Sequence, residues 1–172
     1  MQHSQPEGSK KRRIAHRGPT TYLSRLASVL AFAVTGLLFV TAAVQAQAIM
    51  RVGNDHGGSV AERITQINRI RATGTRVEIR DGYCQSACTM YLGLNNVCVG
   101  PSARFGFHGP AINARAGLAM MPDEFEYWSQ LMANYYPPQL RGWFLSTARY
   151  EIFGIIDVSG AELIRLGIPE CT

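Results

Sequence analysis

The sequence contains no lysine after Lys11, although the chain has 172 residues. From Ile49 onward it has 11 arginines and 11 acidic residues, so the net charge of +5 comes entirely from the first 48 residues. A charge-balanced segment lacks the basic patch that binds phosphate backbones, which argues against nucleic acid as a partner. The same absence excludes lysine as the general base of any reaction carried out by this segment.

The first 48 residues have the pattern of an export signal. Basic residues at 10–13 precede an uncharged, mostly apolar stretch at 26–44, and Ala46-Gln-Ala48 fits a small-residue cleavage site. We therefore predict a signal peptide at 1–48 and one domain at 49–172, in an exported, periplasmic protein. Because the apolar stretch is nearly long enough to span a bilayer, attachment to the inner membrane through residues 26–44 is the alternative.

All four cysteines follow the predicted signal peptide, at Cys84, Cys88, Cys98 and Cys171. An even number of cysteines in an exported domain predicts two disulfides. Zinc is the weaker interpretation, because Cys84 and Cys88 have no matching second pair of ligands, and we expect no metal and no cofactor. Four cysteines allow three pairings, between which the sequence does not choose. We predict that Cys84 pairs with Cys88, which would clamp the turn at Ser86, and that Cys98 pairs with Cys171.

Short strands alternate with helices along the predicted domain, which indicates an α/β fold. Ser59 with Glu62, and Ser159 with Glu162, form capping boxes that mark helix starts. A strand, helix and strand within roughly 30 residues form a crossover unit with parallel strands. Strands are predicted at 49–52, 76–80, 97–99 and 104–107, and helices from Ser59 to Gly74, from Ala87 to about Leu94, at 123–134, at 140–145 and after Ser159.

Three motifs carry the groups that acyl transfer requires. Ser86, in Cys84-Gln-Ser-Ala-Cys88, lies between a strand and a helix, where it is a candidate nucleophile. His108 follows 22 positions later in Gly106-Phe-His-Gly-Pro110 and is the candidate base, with His56 as its only rival in the domain. Asn54-Asp-His-Gly-Gly58 supplies flexible backbone that could bind an oxyanion.

These motifs resemble the Clp protease proteolytic subunit and crotonase superfamily, and most closely its short exported bacterial members. The segment Asn54–Gly58 is similar to the family's Asn-Ser-Pro-Gly-Gly turn, and Gln85-Ser-Ala87 is similar to its nucleophile turn. The segment at 106–110 is similar to its Ile-His-Gln-Pro segment, and 158–168 to its closing helix and strand. The resemblance implies a ClpP/crotonase-like spiral of strand-strand-helix units, reduced to a single domain.

The resemblance also implies a role for individual residues. Ser86 would be the nucleophile and His108 the general base, with an oxyanion hole formed by the amides of Gly57, Gly58 and Ala87. Exported relatives such as signal peptide peptidases use a Ser-Lys pair, which this domain cannot form because it has no lysine.

The chain departs from the family pattern at the third catalytic residue. The family's aspartate falls on Ile155, and Asp157 and Glu151 are nearby substitutes out of register, of which we take Asp157 as the candidate acid. The segment between His108 and Ser159 is short, so we expect the arm that builds Clp-type rings to be missing. A homo-oligomer of another kind stays open.

The sequence therefore predicts an exported serine hydrolase, a peptidase rather than an esterase, acting on a peptide or a small ester. The alternative is a non-catalytic exported binding protein that keeps the fold. In that case Ser86 would be a helix cap, and His108 a buried turn histidine.

Overall fold

The computed structural model describes residues 47–111 and 120–172. These residues belong to one compact unit, Ala46–Thr172. The predicted signal peptide lies outside the described residues as far as residue 46, and with it the apolar stretch at 26–44. None of the helices that the structure describes has the length and apolar character needed to cross a membrane.

The described part of the chain is mixed α/β, as predicted. In chain order its elements are β1 (Ile49–Arg51), α1 (Val60–Thr73), β2 (Arg76–Ile79), β3 (Tyr83–Gln85), a 3-10 helix (Ser86–Gly93), β4 (Val97–Val99), β5 (Arg104–Phe107), α2 (Pro122–Ala133), α3 (Pro138–Ser146), a second 3-10 helix (Ala148–Tyr150), β6 (Ile156–Ser159) and α4 (Gly160–Arg165). We call the first 3-10 helix the Ser86 helix.

The first sheet is parallel, in the order β1-β2-β4. Helix α1 connects β1 to β2, which confirms the predicted crossover. The Ser59 hydroxyl accepts from the Glu62 amide at 3.4 Å, and Gly74, at φ 64°, ends the helix in the left-handed conformation. Ile67 is fully buried on this helix, and Val60 and Ile64 pack against the same core.

The second sheet has the order β3-β5-β6 and positions the candidate site. Strands β3 and β5 are parallel and pair Gln85 with Gly106. Because parallel strands end at the same edge of a sheet, Ser86 and His108, which lie just beyond these strands, come to the same edge. Strand β6 pairs antiparallel with β5. The sequence analysis predicted neither β3 nor β6.

The segment after Ser86 is helical, as predicted, but it is a 3-10 helix of eight residues. It contacts β4 of the first sheet and β3 and β5 of the second. The Thr89 hydroxyl donates to the Ser86 carbonyl oxygen at 2.7 Å. This side-chain bond competes for the carbonyl that would accept the first α-helical hydrogen bond, which favours the tighter winding.

Both disulfides form in the predicted pairing, Cys84 with Cys88 and Cys98 with Cys171. No described cysteine is free. Disulfides persist in oxidising compartments, so the two bonds indicate an exported environment. The Cys98–Cys171 bond fixes the tail to β4, where the Cys171 amide also donates to the Val99 carbonyl oxygen at 2.9 Å.

Candidate active site

Ser86 has a strained backbone at the turn from β3 into the Ser86 helix. Its φ is 57°, and no other non-glycine residue in the described ranges has a positive φ. Such a conformation costs of order 1–3 kcal/mol in a residue with a side chain and persists only where the surroundings enforce it. In α/β-hydrolases the nucleophilic serine also lies at a strained strand-to-helix turn, which exposes its hydroxyl. The Cys84–Cys88 disulfide brackets this turn on both sides.

The backbone of Gly57 lies directly against Ser86. A Cβ atom at position 57 would stand 2.9 Å from Ser86 Oγ and 2.8 Å from the Gln85 carbonyl oxygen. Gly57 also has φ 94°, which side chains rarely allow. Only glycine fits here, because any side chain would occupy the space beside the hydroxyl. The predicted oxyanion segment and the predicted nucleophile are therefore in contact.

The three amides predicted for the oxyanion hole differ in their partners. The Gly57 amide donates to Asp55 Oδ1 at 2.8 Å. The Gly58 and Ala87 amides have no hydrogen-bond acceptor among residues 47–111 and 120–172. Ala87 is fully buried, and buried amides are nearly always paired. Of the three predicted amides, those of Gly58 and Ala87 thus have no acceptor among the described residues, and Gly58 is the one of the three residues that lines the cavity with Ser86 and His108.

The tautomer of His108 is set by a backbone oxygen. His108 Nδ1 lies 2.7 Å from the Gly109 carbonyl oxygen. Since a carbonyl can only accept, Nδ1 carries the proton, and the neutral ring keeps a lone pair on Nε2. The Gly109 amide donates to the Glu151 carbonyl oxygen at 2.8 Å, and any side chain at Gly109 would collide with the Arg149 carbonyl. Packing therefore fixes the oxygen that orients the ring.

Ser86 and His108 line one cavity of about 320 Å³. No hydrogen bond joins the Ser86 hydroxyl to the His108 ring in the structure. Among residues 47–111 and 120–172, the lining contains no acidic or basic side chain other than His108, and most of these lining residues are apolar or glycine. It is formed by Gly58, Ser59, Val60, Ala61, Ser86, His108, Gly109, Pro110, Ala111, Met120, Trp128 and Met132.

The carboxylates of the two candidate acids bind groups other than His108. Asp157 lies exposed on β6 and forms an ion pair with Arg104, whose Nε donates to both carboxylate oxygens at 3.2 and 3.1 Å. The Glu151 carboxylate accepts from the amides of Phe153 and Gly154, at 3.2 and 2.6 Å. Neither carboxylate has a hydrogen bond to the imidazole. Ile155, where the family's aspartate would fall, packs over Gly106.

His56, the rival base, is exposed and does not line the cavity. Its Nδ1 lies 2.9 Å from Gln85 Oε1, so it contacts the residue before the nucleophile rather than the nucleophile itself. The structure therefore places His108, and not His56, in the cavity with Ser86.

The sequence analysis missed an ion pair behind the Asn54–Gly58 segment. Arg63 Nη2 donates to Asp55 Oδ1 and Oδ2 at 3.0 and 2.7 Å. The signal was available, because Arg63 falls on the apolar stripe of α1, three residues after Val60 and four before Ile67. A charged residue in a core position requires a buried partner.

Among the described residues, no three histidine, cysteine, aspartate or glutamate side chains are grouped so that they could hold a metal ion. A comparison with protein-family models gives no match to the sequence, and neither does a comparison with curated proteins. The site therefore has to be interpreted from its own geometry.

Proposed function

We propose that this chain is an exported serine hydrolase that works in the periplasm. The proposal rests on the backbone conformation and the surroundings of Ser86. Ser86 has a left-handed backbone, lies against the Gly57 backbone and shares a cavity with His108. A helix-capping serine would not need the strained conformation, because caps ordinarily have extended backbone, as Ser59 does with φ −63° and ψ 126°.

The proposed reaction has two acyl-transfer steps. His108 Nε2 accepts the Ser86 hydroxyl proton as Oγ attacks the substrate carbonyl, and the negative oxygen binds the Gly58 and Ala87 amides. The tetrahedral intermediate collapses, and His108 gives its proton to the leaving amine or alcohol. Water then attacks the acyl-enzyme with His108 again as base, which releases the acid and restores Ser86.

The Gly109 carbonyl takes the orienting role that an aspartate has in a Ser-His-Asp triad. It holds the proton on Nδ1, which leaves Nε2 free to act as the base. A neutral carbonyl stabilises the imidazolium less than a carboxylate does, so we expect slow turnover. The missing Ser86–His108 hydrogen bond does not exclude this chemistry, because catalytic hydrogen bonds are often long without substrate and shorten in the complex.

The cavity suggests which substrates fit. Apart from His108 the lining residues that the structure describes are uncharged, and Val60, Trp128 and Met132 provide apolar walls. A charged group would lose hydration there without gaining a partner. We therefore propose a neutral, apolar group next to the scissile carbonyl, in a peptide or a small ester.

Two features support a reduced ClpP/crotonase-like fold. Helix α1 crosses between parallel strands β1 and β2, and Ser86 follows β3 at the edge where the second sheet also presents His108. The oxyanion segment approaches the same turn, since the Asp55 amide donates to the Tyr83 carbonyl and the Gln85 amide to the Asp55 carbonyl. We propose membership of that superfamily on these grounds.

A fluorophosphonate probe tests the proposal. We expect the exported, disulfide-bonded protein to gain one covalent adduct, mapped by peptide mass spectrometry to Ser86. Ser86→Ala should abolish labelling, and Ser102→Ala, at an exposed serine, should label like the wild type. A folded protein that never labels, and that hydrolyses neither peptides nor p-nitrophenyl esters, would refute the proposal and favour the binding-protein alternative.

A further inference from the structure

Arg63 is a buried cation on the core face of α1. Its exposed fraction is 8%, and it lies between Val60 and Ile67, which face the apolar core. Burying a guanidinium costs several kcal/mol unless its hydrogen bonds are satisfied, so a buried arginine requires specific partners. Those partners connect two parts of the candidate site.

The first connection runs to the oxyanion segment. Arg63 Nη2 donates to both Asp55 oxygens, and one of them, Oδ1, also accepts the Gly57 amide at 2.8 Å. The same nitrogen lies 3.5 Å from the Gly57 carbonyl oxygen. The two peptide groups that flank the Gly57 Cα, one with the Gly57 amide and the other with the Gly57 carbonyl and the Gly58 amide, are thus both contacted from the side of α1.

The second connection runs to the Ser86 helix. Arg63 Nη1 donates to the Tyr91 hydroxyl, and the guanidinium carbon lies 4.5 Å from the centre of the Tyr91 ring. The Tyr91 side chain is 1% exposed, and its hydroxyl is in this buried network. Desolvation raises the pKa of Tyr91, so the hydroxyl stays protonated at neutral pH.

These contacts make Arg63 the shared partner of both halves of the site. The planar guanidinium uses one nitrogen for the oxyanion segment and another for the helix that starts at Ser86, which a single ammonium could not reproduce with the same geometry. With the Gly57 amide held by Asp55, the next amide, that of Gly58, has no protein acceptor among the described residues, and Gly58 lines the cavity.

We infer that Arg63 is a positioning residue, which acts through Asp55 and Tyr91 to hold the Gly58 amide in register with Ser86. The inference rests on the proposed serine hydrolase function. Arg63 touches no reacting atom. Because an oxyanion donor acts mainly on the transition state, moving it lowers the chemical rate much more than substrate affinity.

The test measures the kinetics of fluorophosphonate labelling in the exported, disulfide-bonded protein. We expect Arg63→Lys to lower the maximal labelling rate by roughly 10- to 100-fold, the scale of a misplacement near 1 Å, with the probe's half-saturation concentration within about twofold of the wild type. Tyr91→Phe, which keeps the ring and removes the hydroxyl, should lower the maximal labelling rate less than Arg63→Lys does. Arg80→Lys, at an ion pair with buried Glu78 away from the cavity, is the matched control and should leave the rate unchanged.

Amide hydrogen exchange tests the positioning role of Arg63 separately from the serine hydrolase function. We expect the Gly57 amide to be protected in the wild type and to exchange faster in both Arg63→Lys and Tyr91→Phe, with native near-ultraviolet circular dichroism in at least Tyr91→Phe. If the wild type labels and both variants label at its rate, the inference is wrong and the hydrolase proposal stands. If the wild type does not label, the hydrolase proposal fails, and unchanged Gly57 exchange in the folded variants would overturn the positioning role too.

Discussion

The Nδ1 atom of His108 donates to the carbonyl oxygen of Gly109, its own neighbour in the chain, at 2.7 Å. This contact occupies the ring nitrogen that a catalytic aspartate would bind. It also explains why no carboxylate is needed to select the tautomer. The consequence is that the candidate base should depend on the backbone at Gly109 and not on either nearby acid.

His108→Ala should slow fluorophosphonate labelling of Ser86 by roughly 10² to 10⁴, the usual range for loss of a general base. His56→Ala should change the rate little, because His56 is exposed outside the cavity and contacts Gln85. Labelling rates at fixed probe concentration measure both effects. If His108→Ala and His56→Ala lower the labelling rate equally, His108 is not the specific base.

Asp157→Asn should leave labelling within about twofold of the wild type, because the Asp157 carboxylate binds Arg104 at an exposed position and not the imidazole. Exposed ion pairs contribute about 0–1 kcal/mol to stability, so folding should also change little. Glu151→Gln is the companion variant, since its carboxylate accepts from two loop amides. A loss of 100-fold or more in Asp157→Asn would show that this residue is the missing acid.

Gly57→Ala should sharply reduce labelling, because the new methyl group would lie 2.9 Å from Ser86 Oγ and the φ of 94° disfavours any side chain. The backbone alone should cost about 1–2 kcal/mol of unfolding free energy. Gly53→Ala is the control in the same segment, where a Cβ meets nothing within 4 Å and φ is not positive. Urea unfolding and labelling rates would be measured on both variants. Normal labelling in Gly57→Ala would contradict the close approach.

The local signals in the sequence were sufficient to predict much of the fold. Ser59 and Ser159 start helices where the capping boxes placed them, and each accepts a hydrogen bond from the amide three residues later. Both are short-range interactions within a few residues of chain. The edge shared by Ser86 and His108 was predicted only in part, because the sequence analysis placed His108 at the end of a strand but did not predict strand β3 or its parallel pairing with β5.

The rest depended on contacts between distant segments. Arg63 binds Asp55 and Tyr91, 8 and 28 residues away, and no local pattern specifies such partners. The orienting group of His108 is a backbone carbonyl, which every residue has and no motif reveals. The search for a third catalytic side chain therefore led to Asp157, which the structure pairs with Arg104. Strand β6 was missed although Ile156-Asp-Val-Ser159 alternates apolar and polar residues.

Glu78→Gln should lower the free energy of unfolding at neutral pH. In acid, the difference in unfolding free energy between this variant and the wild type should shrink. Glu78 is buried on β2 and forms ion pairs with Arg51, Arg76 and Arg80. The hydrogen bond from Arg80, helped by the three positive charges, lowers the pKa of Glu78 below its ordinary value of 4.5.

A lowered carboxyl pKa gives stability that is present above the unfolded pKa, near 4.5, and lost as pH falls through the folded pKa. Urea unfolding of the wild type and of Glu78→Gln between pH 7 and pH 2 would measure this pH-dependent contribution to stability. Parallel curves for the two proteins over this range would contradict the assignment.

The Cys98–Cys171 disulfide should contribute more to stability, and the Cys84–Cys88 disulfide more to the reactivity of Ser86. Cys98 and Cys171 are 73 positions apart, and in the chain-entropy model such a loop contributes roughly 4 kcal/mol, whereas the 4-position loop between Cys84 and Cys88 contributes about 2 kcal/mol. Replacing Cys98 and Cys171 by serine should therefore lower the unfolding free energy more.

Labelling should show the reverse order, because the Cys84–Cys88 bond brackets the strained turn that carries Ser86 while the other bond fixes the tail to β4. Without the Cys84–Cys88 bond, Ser86 can relax from φ 57° to an ordinary conformation and move its hydroxyl away from the oxyanion amides. We expect Cys84→Ser with Cys88→Ser to slow labelling at least about tenfold in folded protein, and Cys98→Ser with Cys171→Ser to leave the rate of the folded fraction near that of the wild type. If the variant without the Cys98–Cys171 bond labels more slowly than the variant without the Cys84–Cys88 bond, the Cys84–Cys88 disulfide serves folding alone.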